Sequence, residues 1–415
     1  MANGPKKHID RRDFLRRGAL AALAASIGGA CSRERPTEAT KPRTPKKRPA
    51  AARPVVESWQ PFPVVDAAGT PFEIGAAIGS MTQGRIRAGI ARRQAWFEDL
   101  KAFALADRDA RIDPFVAALG ARFPDVLAEI DGMAQGAGLS LDDLLVLNLQ
   151  CELGALKAEA ASCDACSTFH LVHGGRALLM HNEDGDDAYR DLMAILRLKP
   201  EGRPAVTALA YPGVVPGCVP AINDAGLVQT TNFIGAAGAR PGVPRYAVGR
   251  ATLAARTFDE ALAVARAPDA AFSFHLNLGS IREKRLVAVD VAPGGVFDTR
   301  ETEGLFLQTN HFVLPDTRDL PQPDHRLGGS SDSRYRVLEQ GMAGLPPVAN
   351  VTADHLLGLL ASHEAIEQPF SPCRHPRGDV HGRTLGTAVF DIAAGSFTLY
   401  EGNPCESRRR QIEPA

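Results

Sequence analysis

Ten short runs rich in apolar and β-branched residues follow one another between residues 167 and 310, and they fix most of what the chain can become. They cover 167–172, 177–181, 193–198, 206–211, 219–223, 227–232, 273–278, 286–291, 295–298 and 305–310. Each is too short for a stable helix and the right length for a strand. Gly174-Gly175 between the first two supplies the positive-φ positions of a tight hairpin. Two more runs, 387–392 and 396–400, predict a closing hairpin. Within this part, helical spacing is confined to 245–266, 333–340 and 353–362, between groups of strands. Hairpin-joined strands pair antiparallel, and helices that fall between groups are not crossovers of a parallel sheet. The fold class is therefore α+β with largely antiparallel sheets. No internal repeat of 20–50 residues is visible.

Upstream the texture is different. Residues 71–104 read as one helix after a strand-like or turn start, with Ile74, Ile78, Met81, Ile86, Ile90 and Phe97 near helical spacing. A second helix is expected over 124–135 and ends at Gly136-Ala137-Gly138. Ser140 is an N-cap for a third, 144–153, with Gly154 as its stop. The segment 59–165 is thus mainly helical, and 166–415 is the β-rich part.

Charge separates a third region. The chain has 47 basic and 48 acidic residues, a balance that gives no support for a nucleic-acid partner. Residues 1–57, however, carry 14 Lys/Arg against 5 Asp/Glu, leaving 33 basic against 43 acidic in the remainder. Arg11-Arg12-Asp13-Phe14-Leu15 and Arg16-Arg17 precede an apolar stretch, 18–30, well short of the roughly 20 residues that span a bilayer. A basic start, a short Ala-rich core and small residues after it make residues 1–31 a cleavable signal, and the paired arginines resemble a twin-arginine export signal. Cys31 follows Ile27-Gly28-Gly29-Ala30, which resembles a lipobox with Gly28 where Leu is usual. Lipidation of Cys31 and a free Cys beside an ordinary cleavage site both stand at this point. Residues 32–58 are Pro-, Lys- and Arg-rich with almost no large apolar side chain, and read as an extended tether. The expected location is periplasmic or membrane-anchored, with membrane contact through Cys31.

The seven cysteines are 31, 151, 163, 166, 218, 373 and 405. Without Cys31 six remain, enough for three bridges, but their spacing matches no small disulfide scaffold. Cys163-Asp164-Ala165-Cys166 is a lone CxxC, and the i, i+2 spacing of Cys373 and His375 reads as poor for structural zinc. No metal or cofactor is expected.

Cys166 has a better reading. It opens the first strand of the β-rich part, and the paired strand returns with His181-Asn182-Glu183-Asp184. If the chain is cut between Ala165 and Cys166, the new terminal residue carries both a thiol and an α-amine. The amine's pKa of about 8 lets it act as base for its own thiol near neutral pH.

Several motifs then point one way. Phe72-Glu73-Ile74-Gly75 with Gly79, Gly132-Met133-Ala134-Gln135-Gly136-Ala137-Gly138, Leu147-Asn148, Cys166-Ser167-Thr168-Phe169 and Asn182-Glu183-Asp184 come first. Asn223-x-x-Gly226-Leu227, Thr309-Asn310-His311-Phe312, Ser371-x-Cys373-Arg374-His375 and Glu401-Gly402-Asn403-Pro404-Cys405 follow. Each is unspecific alone; in one order over residues 65–410 they resemble the acyl-coenzyme A:6-aminopenicillanic acid acyltransferase-like cysteine peptidases, a branch of the N-terminal-nucleophile hydrolases. The resemblance implies an αββα sandwich, made as a precursor that cuts itself before the nucleophile and keeps its two fragments associated. It implies Cys166 as nucleophile for self-cleavage and turnover, and Asp184 as the group that orients its amine. Asn310 would donate to the oxyanion, with Asn232 in the same hole, and Arg374 would steady negative charge beside the thiol. The substrate would be a small-molecule amide.

Two departures carry consequences. Ala165 stands where the family often has Gly. Glu183 stands where Trp is common in the acyltransferases, and an Asn-Glu-Asp version resembles relatives that hydrolyse β-alanyl amides of biogenic amines. Glu183 is accordingly a candidate for binding a cationic substrate. His170, His181, His311 and His375 read as hydrogen-bonding scaffold. Ser331, Asp332 and Arg334 read as pocket rim or helix cap, and Asn148 and Glu152 as buried structural polars. Two competing functions remain open from the sequence: a papain-like Cys–His enzyme without self-cleavage, and a non-catalytic solute-binding lipoprotein.

Overall fold

The computed structural model describes residues 60–157, 165–235, 238–266, 269–322, 329–364, 370–378, 380–406 and 408–415. The expected signal, the tether, Cys31 and Cys163 lie outside the described residues. β1 (Val64–Gly69) leads into seven helices: α1 (Pro71–Arg92), α2 (Gln94–Ala106), α3 (Arg108–Arg111), α4 (Asp113–Arg122), α5 (Pro124–Ala137), α6 (Leu141–Asn148) and α7 (Gln150–Leu156). The β-rich part opens with β2 (Ala165–His173), β3 (Arg176–Asp186), β4 (Ala194–Pro200), β5 (Val206–Ala210), β6 (Ala221–Asn223) and β7 (Leu227–Phe233). After α8 (Arg245–Thr252) and α9 (Phe258–Ala265) come β8 (Phe274–Ser280), β9 (Arg285–Ala292), β10 (Val296–Glu301) and β11 (Gly304–Gln308). α10 (Ser330–Ala343) and α11 (Ala353–Leu360) precede β12 (Gly382–Asp391), β13 (Ser396–Glu401) and β14 (Arg409–Ile412).

Local chemistry sets several of these boundaries. Thr70 and Glu73 form a reciprocal capping box at the start of α1, with Pro71 in its first turn. The helix expected over 71–104 breaks at Arg93, whose backbone leaves helical geometry. The Arg93 side chain is buried there, 3.7 Å over the Trp96 ring and bonded to the Tyr189 hydroxyl at 2.8 Å. The helix expected over 245–266 also divides. Thr257 and Glu260 form a second capping box and start α9 afresh. That Thr-x-x-Glu signal is present in the sequence, and the longer apolar periodicity conceals it.

The strands form two sheets. One has the order β1-β4-β5-β6-β7-β8-β9-β10, the other β11-β2-β3-β12-β13-β14. Only β1 and β4 pair parallel; every other named pair is antiparallel, as the hairpin pattern requires. The sheets face one another, β2 against β7 and β9. α10 and α11 cover the outer face of the six-stranded sheet, burying Phe169, Leu171, Leu178, Met180, Leu338 and Leu356. α1 lies against β1 and β4, and α9 against β8. The architecture is the expected αββα sandwich.

α1 and α5 meet backbone to backbone. A Cβ at Gly75 would lie 2.0 Å from the Glu129 carbonyl oxygen, and one at Gly132 would lie 2.0 Å from that of Phe72. Gly79 and Gly136, one turn further on, are equally tight. The glycine motifs of the sequence are therefore a helix-packing device. Asn148 and Glu152 are fully buried, as expected: Asn148 spans from Leu144 to Gly213 and Val215, and Glu152 accepts from the Arg245 amide. Cys151 is disulfide-bonded, a bond the cysteine spacing does not predict. No described helix is long and apolar enough to cross a membrane.

Candidate active site

Alternation along β2 and β3 decides which side chains meet. Phe169, Leu171, Leu178 and Met180 point outward to α10 and α11. Cys166, Thr168, His170, His181 and Glu183 therefore share the opposite face, between the sheets. Cys166 pairs with Glu183 across the ladder, and Ala165 with Asp184. Cys166 is in no disulfide and is buried to 1%. A ring nitrogen of His181, a carboxylate oxygen of Glu183 and the Cys166 sulfur lie within 4.8 Å of one another.

The backbone of Cys166 is held on both sides. Its N–H donates to Asn310 Oδ1 at 2.8 Å, and its carbonyl accepts from the Arg334 guanidinium. Arg334 also donates to Ser167 Oγ and to Asn310 Oδ1. Asn310 is fixed in turn: its Nδ2 donates to the Phe233 carbonyl and its N–H to Ser331 Oγ, both at 2.8 Å. Arg334 is wholly buried, and that burial lowers its pKa to about 10, leaving it charged at neutral pH. Asp184 and Cys166 favour its charged form and Arg374 opposes it, so all four share one electrostatic neighbourhood.

Asp184 accepts from Thr384 Oγ1 at 2.6 Å. The same hydroxyl accepts from the Arg374 amide at 2.9 Å, and the ladder between β3 and β12 shifts register just past Thr384. Arg374 itself packs over Gly382, where a Cβ would sit 2.1 Å from its guanidinium. Its Nε has no hydrogen-bond partner among the described residues.

Behind the thiol runs a buried polar seam. Thr168 Oγ1 lies 2.8 Å from His181 Nδ1 and donates to Asn232 Oδ1. Asn277 Nδ2 donates to the same Asn232 oxygen, and Asn277 Oδ1 receives His170 and His275. His275 ends the run 2.6 Å from Asp290. Asn232 Nδ2 is buried with no hydrogen-bond partner among the described residues. Burial lowers the pKa of both His170 and His181 to about 3, so both are neutral at ordinary pH. Glu183 is fully buried, accepting from the Tyr211 hydroxyl at 2.9 Å with His181 at 3.3 Å.

The structure thus brings Cys166 together with Asn310 and Glu183, and Asp184 into the neighbourhood of Arg374. Asn232 lies on β7, bonded to the side chain two residues beyond Cys166 on the same face. Asn310 turns its oxygen, rather than an N–H, toward Cys166. Arg334 belongs at the centre, where the sequence places it at the rim or as a cap. Tyr211, one residue past β5, bonds Glu183, and no local pattern in the sequence marks it. A cleft of about 640 Å³ between α5 and α8 contains none of these residues.

The family model described as acyl-coenzyme A:6-aminopenicillanic acid acyl-transferase matches residues 172–406, more than half of the chain. A β-alanyl-dopamine/carcinine hydrolase of Drosophila melanogaster is 25% identical over 374 residues, covering 84% of this chain and 95% of that protein. The 40 kDa form of an acyl-coenzyme A:6-aminopenicillanic-acid-acyltransferase from Emericella nidulans is 26% identical over 349 residues, covering 82% and 92%. Among solved structures, a Caenorhabditis elegans N-acylethanolamine-hydrolyzing acid amidase ortholog aligns over 55% of this chain and 93% of its own, at 11% identity and a TM-score of 0.40.

Proposed function

The chain belongs to the acyl-coenzyme A:6-aminopenicillanic acid acyl-transferase family, and from that membership and the clasp around Cys166 we propose that it is an amide-cleaving or acyl-transferring enzyme whose nucleophile is the thiol of a self-generated N-terminal Cys166. One observation carries the reading. Both backbone polar atoms of Cys166 are gripped by buried side chains from distant elements, while its thiol stands in the polar seam. Such a grip suits a residue whose preceding amide is to be cut and whose sulfur is then to be aimed.

In self-cleavage the sulfur attacks the Ala165 carbonyl carbon. The Ala165–Cys166 C–N bond breaks, the acyl group passes to sulfur, and the thiol proton ends on the freed nitrogen. Water hydrolyses the thioester, leaving an Ala165 carboxylate. In turnover the α-amine takes the thiol proton and the thiolate attacks a substrate amide. Asn232 Nδ2, an uncommitted buried donor, is suited to the developing oxyanion. Asn310 holds the Cys166 nitrogen, Asp184 orients the new amine, and Arg374 adds positive charge. The ammonium gives its proton to the leaving amine as the C–N bond breaks, and water or a second amine releases the acyl group.

The Cys–His alternative has its own observation, the proximity of His181 to the Cys166 sulfur. A ring held to about 3 is a poor acceptor for a thiol proton, and an α-amine near 8 is a good one.

Glu183 beside the sulfur supports an acyl group bearing an ammonium, the class named in the Drosophila relative. The test compares amine release from β-alanyl and acetyl amides of one amine. The wild type should prefer the β-alanyl amide at least about tenfold, one charge-assisted contact, and Glu183→Gln should erase that preference. No release from any amide, or release insensitive to Cys166→Ala, contradicts the proposal. We also propose that residues 1–31 are an export signal and 32–58 a tether, which would place the enzyme in the periplasm, or at the membrane facing it if Cys31 is lipidated.

A further inference from the structure

A second cluster of reactive side chains lies away from the Cys166 thiol. It joins His363, just beyond α11, Cys373 and His375 on the segment leading to β12, and Cys405 in the turn after β13. The four donor atoms all lie within 4.8 Å of one another. The Cys373 and Cys405 sulfurs are 3.6 Å apart. His375 Nε2 lies 3.6 Å from the first and 3.5 Å from the second. His363 Nε2 is 3.1 Å from His375 Nε2.

These spacings can be compared with the edges of a coordination tetrahedron. Bonds of about 2.3 Å to sulfur and about 2.05 Å to nitrogen place sulfurs about 3.8 Å apart, nitrogens about 3.3 Å apart, and mixed pairs about 3.5 Å apart. Each of the four measured separations falls within about 0.2 Å of its edge. Asn403 supplies an outer partner. Its Nδ2 donates to the Cys373 sulfur at 3.4 Å and to the Arg374 carbonyl at 2.6 Å, the kind of contact that fixes a thiolate ligand.

We propose that His363, Cys373, His375 and Cys405 form a structural zinc site. Two thiolates with two imidazoles suit zinc, and the set has none of the oxygen donors that magnesium or calcium require. Four protein ligands leave no open position, so the ion is structural rather than catalytic. Binding displaces the two thiol protons, giving a neutral centre. Cys405 is exposed and provides the entry path. The i, i+2 spacing that looked unsuitable in the sequence works because neighbours two apart on a non-helical segment can face one side, with the remaining ligands supplied from 10 residues before Cys373 and 32 after it. The ion ties the end of α11 and the turn after β13 to the segment bearing Arg374, which sits between two ligands.

The test is metal analysis of the full chain, prepared without a histidine tag and dialysed against a non-chelating buffer. One zinc per chain is expected, falling to background in Cys373→Ser and Cys405→Ser. Loss of either variant to misfolding would remove this readout, so the wild type is also loaded with Co²⁺ after zinc removal. Tetrahedral d–d bands and a thiolate-to-cobalt charge-transfer band are expected. Wild-type protein that takes up neither ion while both thiols remain titratable overturns the site, and so does a Cys373–Cys405 disulfide in peptide mapping. The readout is independent of cleavage at Cys166, so a zinc-bearing but uncut chain would count against the proposed function and not against this site.

Discussion

Arg334 holds the Cys166 carbonyl, the Ser167 hydroxyl and the Asn310 side chain from a position fully out of water. A lysine keeps the charge but not the planar fork that reaches several acceptors at once. Losing one such charged contact costs about 1.5–3 kcal/mol, which converts to roughly tenfold to 150-fold in rate. Arg334→Lys should slow both the appearance of fragments and amide turnover by that factor; cleavage at the wild-type rate would remove Arg334 from the account. The residue also marks the limit of what the sequence reveals. Cys166, Asp184, Asn310 and Arg374 stand in recognisable motifs and meet in space although more than 140 residues separate Cys166 from Asn310. Arg334 follows Ser330-Ser331-Asp332 at the start of a helix, a pattern that fits an exposed first turn equally well. Only the packing of α10 on β2 and β11 turns it inward. His363, Cys373, His375 and Cys405 are hidden for the same reason, since local spacing says nothing about which loops a sheet brings together.

At the scale of elements, the strands were the legible part, because alternation and turn residues act within a few positions. The helices were less so: α1 and α2 read as one, as did α8 and α9, because apolar periodicity continues across a break that a buried arginine or a capping box imposes. The α1–α5 contact gives a direct test. A methyl group at Gly132 would lie 2.0 Å from a carbonyl oxygen of the facing helix, so the helices must separate. Overpacking of this kind costs about 1–3 kcal/mol. Gly132→Ala should lower the melting temperature by several degrees, whereas Gly84→Ala on α1, where a Cβ meets nothing within 4 Å, should leave it unchanged or raise it. Equal melting temperatures for the two variants would contradict the close packing.

At the scale of the molecule, the two sheets enclose titratable groups as well as apolar ones. His170 and His181 are held near 3, against 6.5 in an unfolded chain. Between those values the unfolded state binds more protons, so stability is complete above about pH 6.5 and is lost as pH falls toward 3. The loss is on the order of a few kcal/mol for each ring. Melting temperatures should decline steeply from pH 7 to pH 4, and His170→Gln should flatten that decline; a flat profile in the wild type would mean the rings are not buried as described. The sandwich also explains how a cut chain would hold together. β1 belongs to the segment before Cys166 yet pairs with β4. The Phe62 amide and carbonyl bond Glu401 and Arg410, and Asn148 bonds Gly213 and Val215. The most direct measurement is the intact mass of purified, active protein under denaturing conditions, wild type beside Cys166→Ala. Two masses, one ending at Ala165 and one running from Cys166 to Ala415, with a single uncut mass in the variant, are the expected result. An active wild type whose peptide bond before Cys166 is unbroken would contradict the account at its centre.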